Sequence, residues 1–218
     1  MSVRRYGQFC AIAKSLDVVG DRWALLVVRD LLLGPRRYNE LLEQLDGIST
    51  DMLALRLREL EAAGVVERLP VTGKARTYQL TPRGRELEPV IDALARWGRP
   101  LLAERADGDV VAPAWFARSM ASAMRKDRPG TDLLVRLDTD ALTVDLHITE
   151  DAVTVSDADA PPHVTLTGSL EAIAAALDPQ AAAELVASGQ LTVEGAPRRV
   201  RQLSRLFASD TGSRSAAR

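Results

Sequence analysis

The sequence predicts an α+β chain in two parts: a helical first half closed by a β-hairpin, and a smaller second half that mixes strands with helices. Three observations carry this. Apolar residues recur at spacings of three and four through much of residues 11–98, then at every second position through the runs between Leu133 and Leu166. A polar stretch with Gly and Pro, ERADGDVVAP, stands between the two patterns. The charge also changes sign: residues 1–105 carry 17 Lys and Arg against 14 Asp and Glu, a net of +3, and residues 106–218 carry 11 against 16, a net of −5. The expected division is residues 1–103, a linker at 104–114, a second domain at 115–208 and a disordered tail at 209–218.

In the first half, Ala11 to Val19 reads as a short helix. A second runs through DRWALLVVRDLLLG and stops at Gly34-Pro35. Tyr38 to Leu45 makes a third, with Leu41, Leu42 and Leu45 to one side, and Asp46-Gly47-Ile48 turns the chain. Ser49 is a suitable N-cap for Thr50 to Ala63, where Leu53, Leu57 and Leu60 form one apolar stripe, and Gly64 ends that helix. Two short strands follow, Val65 to Leu69 and Arg76 to Leu80, around a polar tip Thr72-Gly73-Lys74-Ala75. Thr81-Pro82 opens a long helix striped with Leu87, Val90, Ile91, Leu94 and Trp97. That stripe exceeds what a small domain needs for its own core.

In the second half, Trp115, Phe116, Met120, Ala123 and Met124 share one helix face. Alternating runs follow: Leu133, Val135 and Leu137; Leu142, Val144, Leu146 and Ile148; Val153 and Val155; Val164 and Leu166. Ser169 caps an Ala-rich helix, Pro179 begins another, LTVEG is a strand and Pro197 to Phe207 is helical.

Helix, tight Gly-containing turn, helix, then a hairpin with a basic tip is the layout of a winged helix-turn-helix. The turn lets the second helix project into a major groove about 12 Å wide. With its leucines turned inward, that helix offers Ser49, Thr50, Asp51, Ala54, Arg56 and Arg58 to DNA. Thr50 and Asp51, in the first turn, suit base edges. Arg56 suits a guanine or a phosphate, and solvated helix charge paired with Glu59, Glu61 or Glu67 is the plain alternative for Arg56 and Arg58. Lys74 and Arg76 at the wing suit phosphate or the minor groove, and Arg36 and Arg37 are either a backbone clamp or a solvated loop.

The string CAIAKSLDVVGDRWALLVVRDLLLGPRRYNELLEQLDGISTDMLALRLRELEAAGVVERLP, followed by YQLTPRGRELEPVIDALARWG, resembles the HxlR-type regulators, relatives of the MarR family. The resemblance covers about residues 8–102. It implies a homodimer joined through the N-terminal segment and the long helix after the wing, on a palindromic operator with half-sites roughly 34–36 Å apart. Cys10 falls where the family often carries a cysteine that senses oxidants in some members. Arg4, Arg5 and Lys14 are nearby positive charges, and a small buried residue at a dimer interface is the alternative. Farther on, HVTLTGSLEAIAAAL and AAAELVASGQLTVEGAPRRVRQLSRLF resemble the sterol-carrier-protein type-two fold. This resemblance implies a site for a hydrophobic or lipid-like small molecule, for which Trp115, Phe116, Met120, Met124, Leu146 and Ile148 are the expected lining, with plain core packing as the alternative.

The chemistry of an enzyme is not visible. There is no GxSxG, P-loop or GxGxxG, and His147 and His163 have no HxxxH or CxxC companions, so no metal and no cofactor are expected. One cysteine fits a reducing compartment, and no run is long enough for a membrane helix, so a cytoplasmic protein is expected. The function that follows is a DNA-binding regulator, in all expectation a repressor, tuned by a hydrophobic effector. The alternatives are a thiol sensor acting through Cys10 and a lipid carrier that uses its helix-turn-helix only to dimerise.

Overall fold

The computed structural model describes residues 5–69 and 77–207. The wing tip with Lys74, Arg76 and the tail at 209–218 lie outside the described residues. The chain falls into two compact units, Met1–Ile91 and Asp92–Arg218. The division therefore falls ahead of the polar 104–114 stretch, inside a helix. Ile91 is the last residue of that helix in the first core, and Asp92 is buried in ion pairs with Arg118 and Lys126 of the second unit.

The first unit runs α1 (Ala11–Val19), α2 (Ala24–Leu32), β1 (Arg36–Arg37), α3 (Tyr38–Gln44), α4 (Thr50–Ala62), β2 (Val66–Leu69), β3 (Thr77–Leu80), α5 (Pro82–Arg85) and the start of α6 (Glu88–Gly98). Its core includes the Leu53–Leu57–Leu60 stripe and Leu41 singled out in the sequence. Val27, Val28 and Leu31 of α2, Leu41 of α3, and Leu53, Leu57 and Leu60 of α4 are almost fully buried. Each large side chain removed from water in this way contributes about 1.5–3 kcal/mol. The antiparallel sheet has the order β1-β3-β2, with Val66 opposite Leu80 and Leu69 opposite Thr77.

Two local expectations change here. Arg36 and Arg37 form a short strand opposite Tyr78 and Thr77, not a loop, so the wing has a third strand. The expected single helix from Pro82 is two helices, α5 and α6, with a turn between them. Pro89 is the physical reason: in a continuous helix its ring would collide with the carbonyl four residues back and its missing N–H would leave that carbonyl unpaired. In the first turn of α6 neither cost arises. Gly84 in α5 is fixed by packing, because a Cβ there would run into the Val65 carbonyl.

The second unit contains the rest of α6, a 3₁₀ turn at Arg99–Leu102, then α7 (Pro113–Ala123), β4 (Asp132–Asp138), β5 (Thr143–Thr149), β6 (Val153–Val155), β7 (Val164–Gly168), α8 (Leu170–Ala175), α9 (Pro179–Ala187), β8 (Leu191–Gly195) and α10 (Pro197–Phe207). Its sheet has the order β6-β5-β4-β7-β8. β4 runs parallel to β7, and the other pairs are antiparallel. Alternation on β5 sends Val144, Leu146 and Ile148 into the core and leaves Asp145 and His147 partly exposed on the other face. Helices α7, α8 and α10 contribute Met120, Ile173, Leu203 and Leu206 to the same core.

Candidate nucleic-acid interface

The reading helix, α4, is held at its start by three features. Gly47 takes φ +80° in the preceding turn, a conformation that L side chains rarely adopt. Ser49 caps the helix, its Oγ accepting from the Met52 N–H at 3.2 Å. The Tyr38 hydroxyl, from the first turn of α3, donates to the Thr50 carbonyl at 2.7 Å and fixes α3 against the start of α4. Desolvation of that phenol raises the Tyr38 pKa, so the hydroxyl stays a donor throughout the neutral range. The N-terminus of α4 is thus fixed by its own cap and by Tyr38, and Ser49, Thr50 and Asp51 are exposed. Ala54 is partly covered.

The two arginines of α4 part company. Arg56 is buried: its guanidinium bonds Asp21 at 2.7 Å and also pairs with Glu59. The pair with Glu59 is the plain alternative named for Arg56 in the sequence. The side chain starts on the rim of the leucine stripe, and two carboxylates within reach compete with any groove. Arg58 is exposed. The acids that were its alternative partners are engaged elsewhere: Glu59 with Arg56, Glu61 with Arg68 at 2.6 Å, and Glu67 with Gln79 at 2.7 Å. Among the described residues Arg58 forms no ion pair.

Arg37 is exposed at the N-terminus of α3, where its backbone N–H donates to Glu40 at 2.8 Å. Arg36 is half-buried on β1. In the wing, Arg68 lies over the Tyr78 ring while holding Glu61, an arrangement that stiffens the β2–β3 pair. Spacing alone did not reveal the Arg68–Glu61 pair or the Tyr38–Thr50 bond, because both join residues distant in sequence.

Cys10 is exposed at the N-cap of α1. Its thiol makes no capping hydrogen bond of ordinary length, yet the backbone N–H groups of Ala13 and Ile12 face it and lower its pKa. Tyr6, Phe9 and Ile12 beside it are exposed, and so are Val90, Leu94 and Trp97 along α6, Trp97 at 76%.

In the second unit Phe116, Met120, Met124, Leu146 and Ile148 meet in one apolar cluster, with Trp115 half-buried on the same helix as Phe116. The His163 ring accepts the Leu134 N–H on Nδ1 at 2.9 Å, and the His163 backbone N–H donates to the Leu134 carbonyl at 2.8 Å, extending the β4–β7 pairing. His147 bonds Asp132 at 2.8 Å. Among the described residues no three His, Cys, Asp or Glu side chains gather as a metal site, and no helix is long and apolar enough to cross a membrane.

Comparison with known proteins matches residues 18–106 to the HxlR-like helix-turn-helix model and residues 122–208 to the SCP-2 sterol transfer family. The chain is 42% identical over 94 residues to an uncharacterised HTH-type transcriptional regulator of Synechocystis sp., spanning 42% of this chain and 70% of that protein. It is 37% identical over 86 residues to the uncharacterised HTH-type transcriptional regulator YvaP of Bacillus subtilis, spanning 38% of this chain and 80% of that one. The crystal structure of the HTH-type regulator YtcD superposes with a TM-score of 0.42 at 32% identity, covering 44% of this chain and all of that one.

Proposed function

Since the chain belongs to the HxlR-like helix-turn-helix family of transcriptional regulators and ends in an SCP-2-type domain, we propose that it is a cytoplasmic, homodimeric repressor whose operator affinity is set by a hydrophobic small molecule in that domain. The observation that carries the DNA reading is the state of α4. Its first turn is exposed and held by the Ser49 cap and the Tyr38 hydroxyl, and among the described residues Arg58 has no acidic partner. Thr50 and Asp51 read base edges, Asp51 as acceptor for a cytosine amine, and Ser49 and Ala54 line the approach. Arg58, Arg37 and Arg36 contact phosphate, together with Lys74 and Arg76 of the wing. Arg56 supports the helix from within.

The exposed apolar residues of the N-terminal segment and of α6 support dimerisation, since a lone chain would leave Phe9 and Trp97 in water. The cluster of Phe116, Met120, Met124, Leu146 and Ile148, with Trp115, is the proposed ligand end. Methionines there can repack around an apolar guest. To switch, the guest must bind the two states of the dimer unequally, and coupling of about 1–3 kcal/mol is usual.

Selection of random duplex by the purified protein, with sequencing of the bound fraction, tests the first part. A palindrome with half-sites one turn apart supports it, and no enrichment refutes it. Operator Kd with and without a bound long-chain fatty acid tests the second. A Kd that does not move while the acid is demonstrably bound refutes the coupling. A second reading, thiol sensing, is favoured by the exposure and lowered pKa of Cys10. Loss of an oxidant response in Cys10→Ser would establish it.

A further inference from the structure

The strand-rich stretch of the second unit is strongly acidic. Between residues 129 and 196 there are twelve Asp and Glu against a single Arg, Arg136, which is paired with Asp145. Helix α10, Pro197–Phe207, reverses this with four arginines and no acid in eleven residues. Its apolar side, Val200, Leu203, Leu206 and Phe207, is packed into the core of the unit. One arginine, Arg199, is partly covered and engaged with Gln202 and the Asp132 carbonyl.

The other three, Arg198, Arg201 and Arg205, are exposed and form no ion pair among the described residues. At 3.6 residues per turn they fall within about 60° of one another and span about 10 Å. Arg125 and Lys126 extend the patch, because the Arg125 N–H donates to the Leu206 carbonyl at the end of α10 at 2.8 Å. Lys126 is exposed while it reaches Asp92 at 3.6 Å.

We infer that the Arg198–Arg201–Arg205 face of α10 is a second, sequence-independent contact for the phosphates of duplex DNA, outside the stretch read by α4. The inference rests on the regulator reading above. Three features favour duplex over an anionic membrane. The apolar side of α10 is already buried, so nothing is left to insert into a bilayer, and charge alone binds such surfaces weakly. The patch on the helix is entirely arginine, whose planar guanidinium suits phosphate oxygens. The chain also holds a duplex through its first unit, so a tethered basic face meets neighbouring phosphates at high effective concentration.

The test uses the full-length protein and the operator recovered by selection, once with long flanking duplex and once trimmed to the minimal site. The triple variant Arg198→Gln, Arg201→Gln, Arg205→Gln should keep the parent melting temperature. On the long duplex its log Kd against log salt should lose about 2.7 units of slope per protomer, equivalent to roughly 40-fold between 50 and 200 mM salt. On the trimmed site it should match the parent. The corresponding Arg→Lys triple variant should retain most of the slope.

An unchanged slope on the long duplex, in a folded variant, overturns the inference and leaves the regulator reading intact. Loss of binding to phosphatidylserine vesicles with DNA binding unaltered overturns it in favour of a membrane surface. A parent protein that binds no duplex overturns both readings together.

Discussion

Replacing Arg56 by Ala separates a supporting role from a reading role on α4. In the structure the guanidinium bridges Asp21 and Glu59, carboxylates whose side chains are 38% and 43% exposed. Pairs of this kind contribute about 0.5–1 kcal/mol each. The arginine side chain is itself only 10% exposed, so truncation also exposes or empties the space of two methylenes, at about 0.8 kcal/mol apiece. Buried Nε, which has no acceptor, offsets part of the total.

The balance is a loss of about 2 kcal/mol. For a unit the size of residues 5–91, this lowers the melting temperature by roughly 8–16 °C. Calorimetry of the variant reads it directly. Arg56→Met, which keeps the stem and removes the charge, should lose about half as much. The salt slope of operator binding should be unchanged in Arg56→Ala, whereas Arg58→Ala should keep its stability within about 0.5 kcal/mol and lose about 0.9 units of slope. An Arg56→Ala protein that melts with the parent and sheds a unit of slope would refute the reasoning, since the guanidinium would then leave its carboxylates for DNA.

Gly84→Ala should destabilise the first unit by about 1–3 kcal/mol, read by urea unfolding, because the new methyl meets the Val65 carbonyl where β2 begins. Asp145 is bonded to Arg136 at 2.7 Å across β4 and β5, and that hydrogen bond depresses its pKa. Its contribution of about 0.5 kcal/mol is complete above the ordinary Asp pKa of about 3.9 and is lost as pH falls through the depressed value; Asp145→Asn should remove that part of the acid-side loss in a pH series of melts. Cys10 should alkylate with iodoacetamide at a rate whose pH midpoint lies below that of a cysteine in an unstructured peptide measured alongside, since the Ala13 and Ile12 amides favour the thiolate; a midpoint at or above that of the peptide would contradict the assignment.

Much of the first unit was legible because its determinants are local and periodic. Ser49, the Leu53–Leu57–Leu60 stripe, Gly47 and Gly64 announce α4 and its boundaries, and Thr81-Pro82 announces the helix start after the wing. Pro89 was equally legible and decides the break between α5 and α6. The apolar stripe running through it had carried the expectation of one helix. Arg36-Arg37 as a strand was not legible: two residues have no period, and their pairing depends on Tyr78 and Thr77 some forty positions away.

In the second unit the alternation located β4 to β7, and LTVEG was read as the strand that is β8, yet neither could order them. β7 lies beside β4 and runs parallel to it, a placement that only the crossover through the intervening chain decides.

What the sequence determined by itself, then, is every property set within a few residues: which segments are helical or extended, which face of each is apolar, where charge accumulates, and the family to which these patterns belong. What only the tertiary structure decided is the employment of the polar side chains. Arg56 and Arg58 stand two positions apart in the same helix with the same chemistry, yet one is enclosed by Asp21 and Glu59 while the other faces solvent. Arg199 is engaged, while Arg198 and Arg201 on the same helix form no ion pair among the described residues. A guanidinium takes the nearest acceptors that burial makes strong, and which acceptors are near is a property of packing between elements, not of order along the chain.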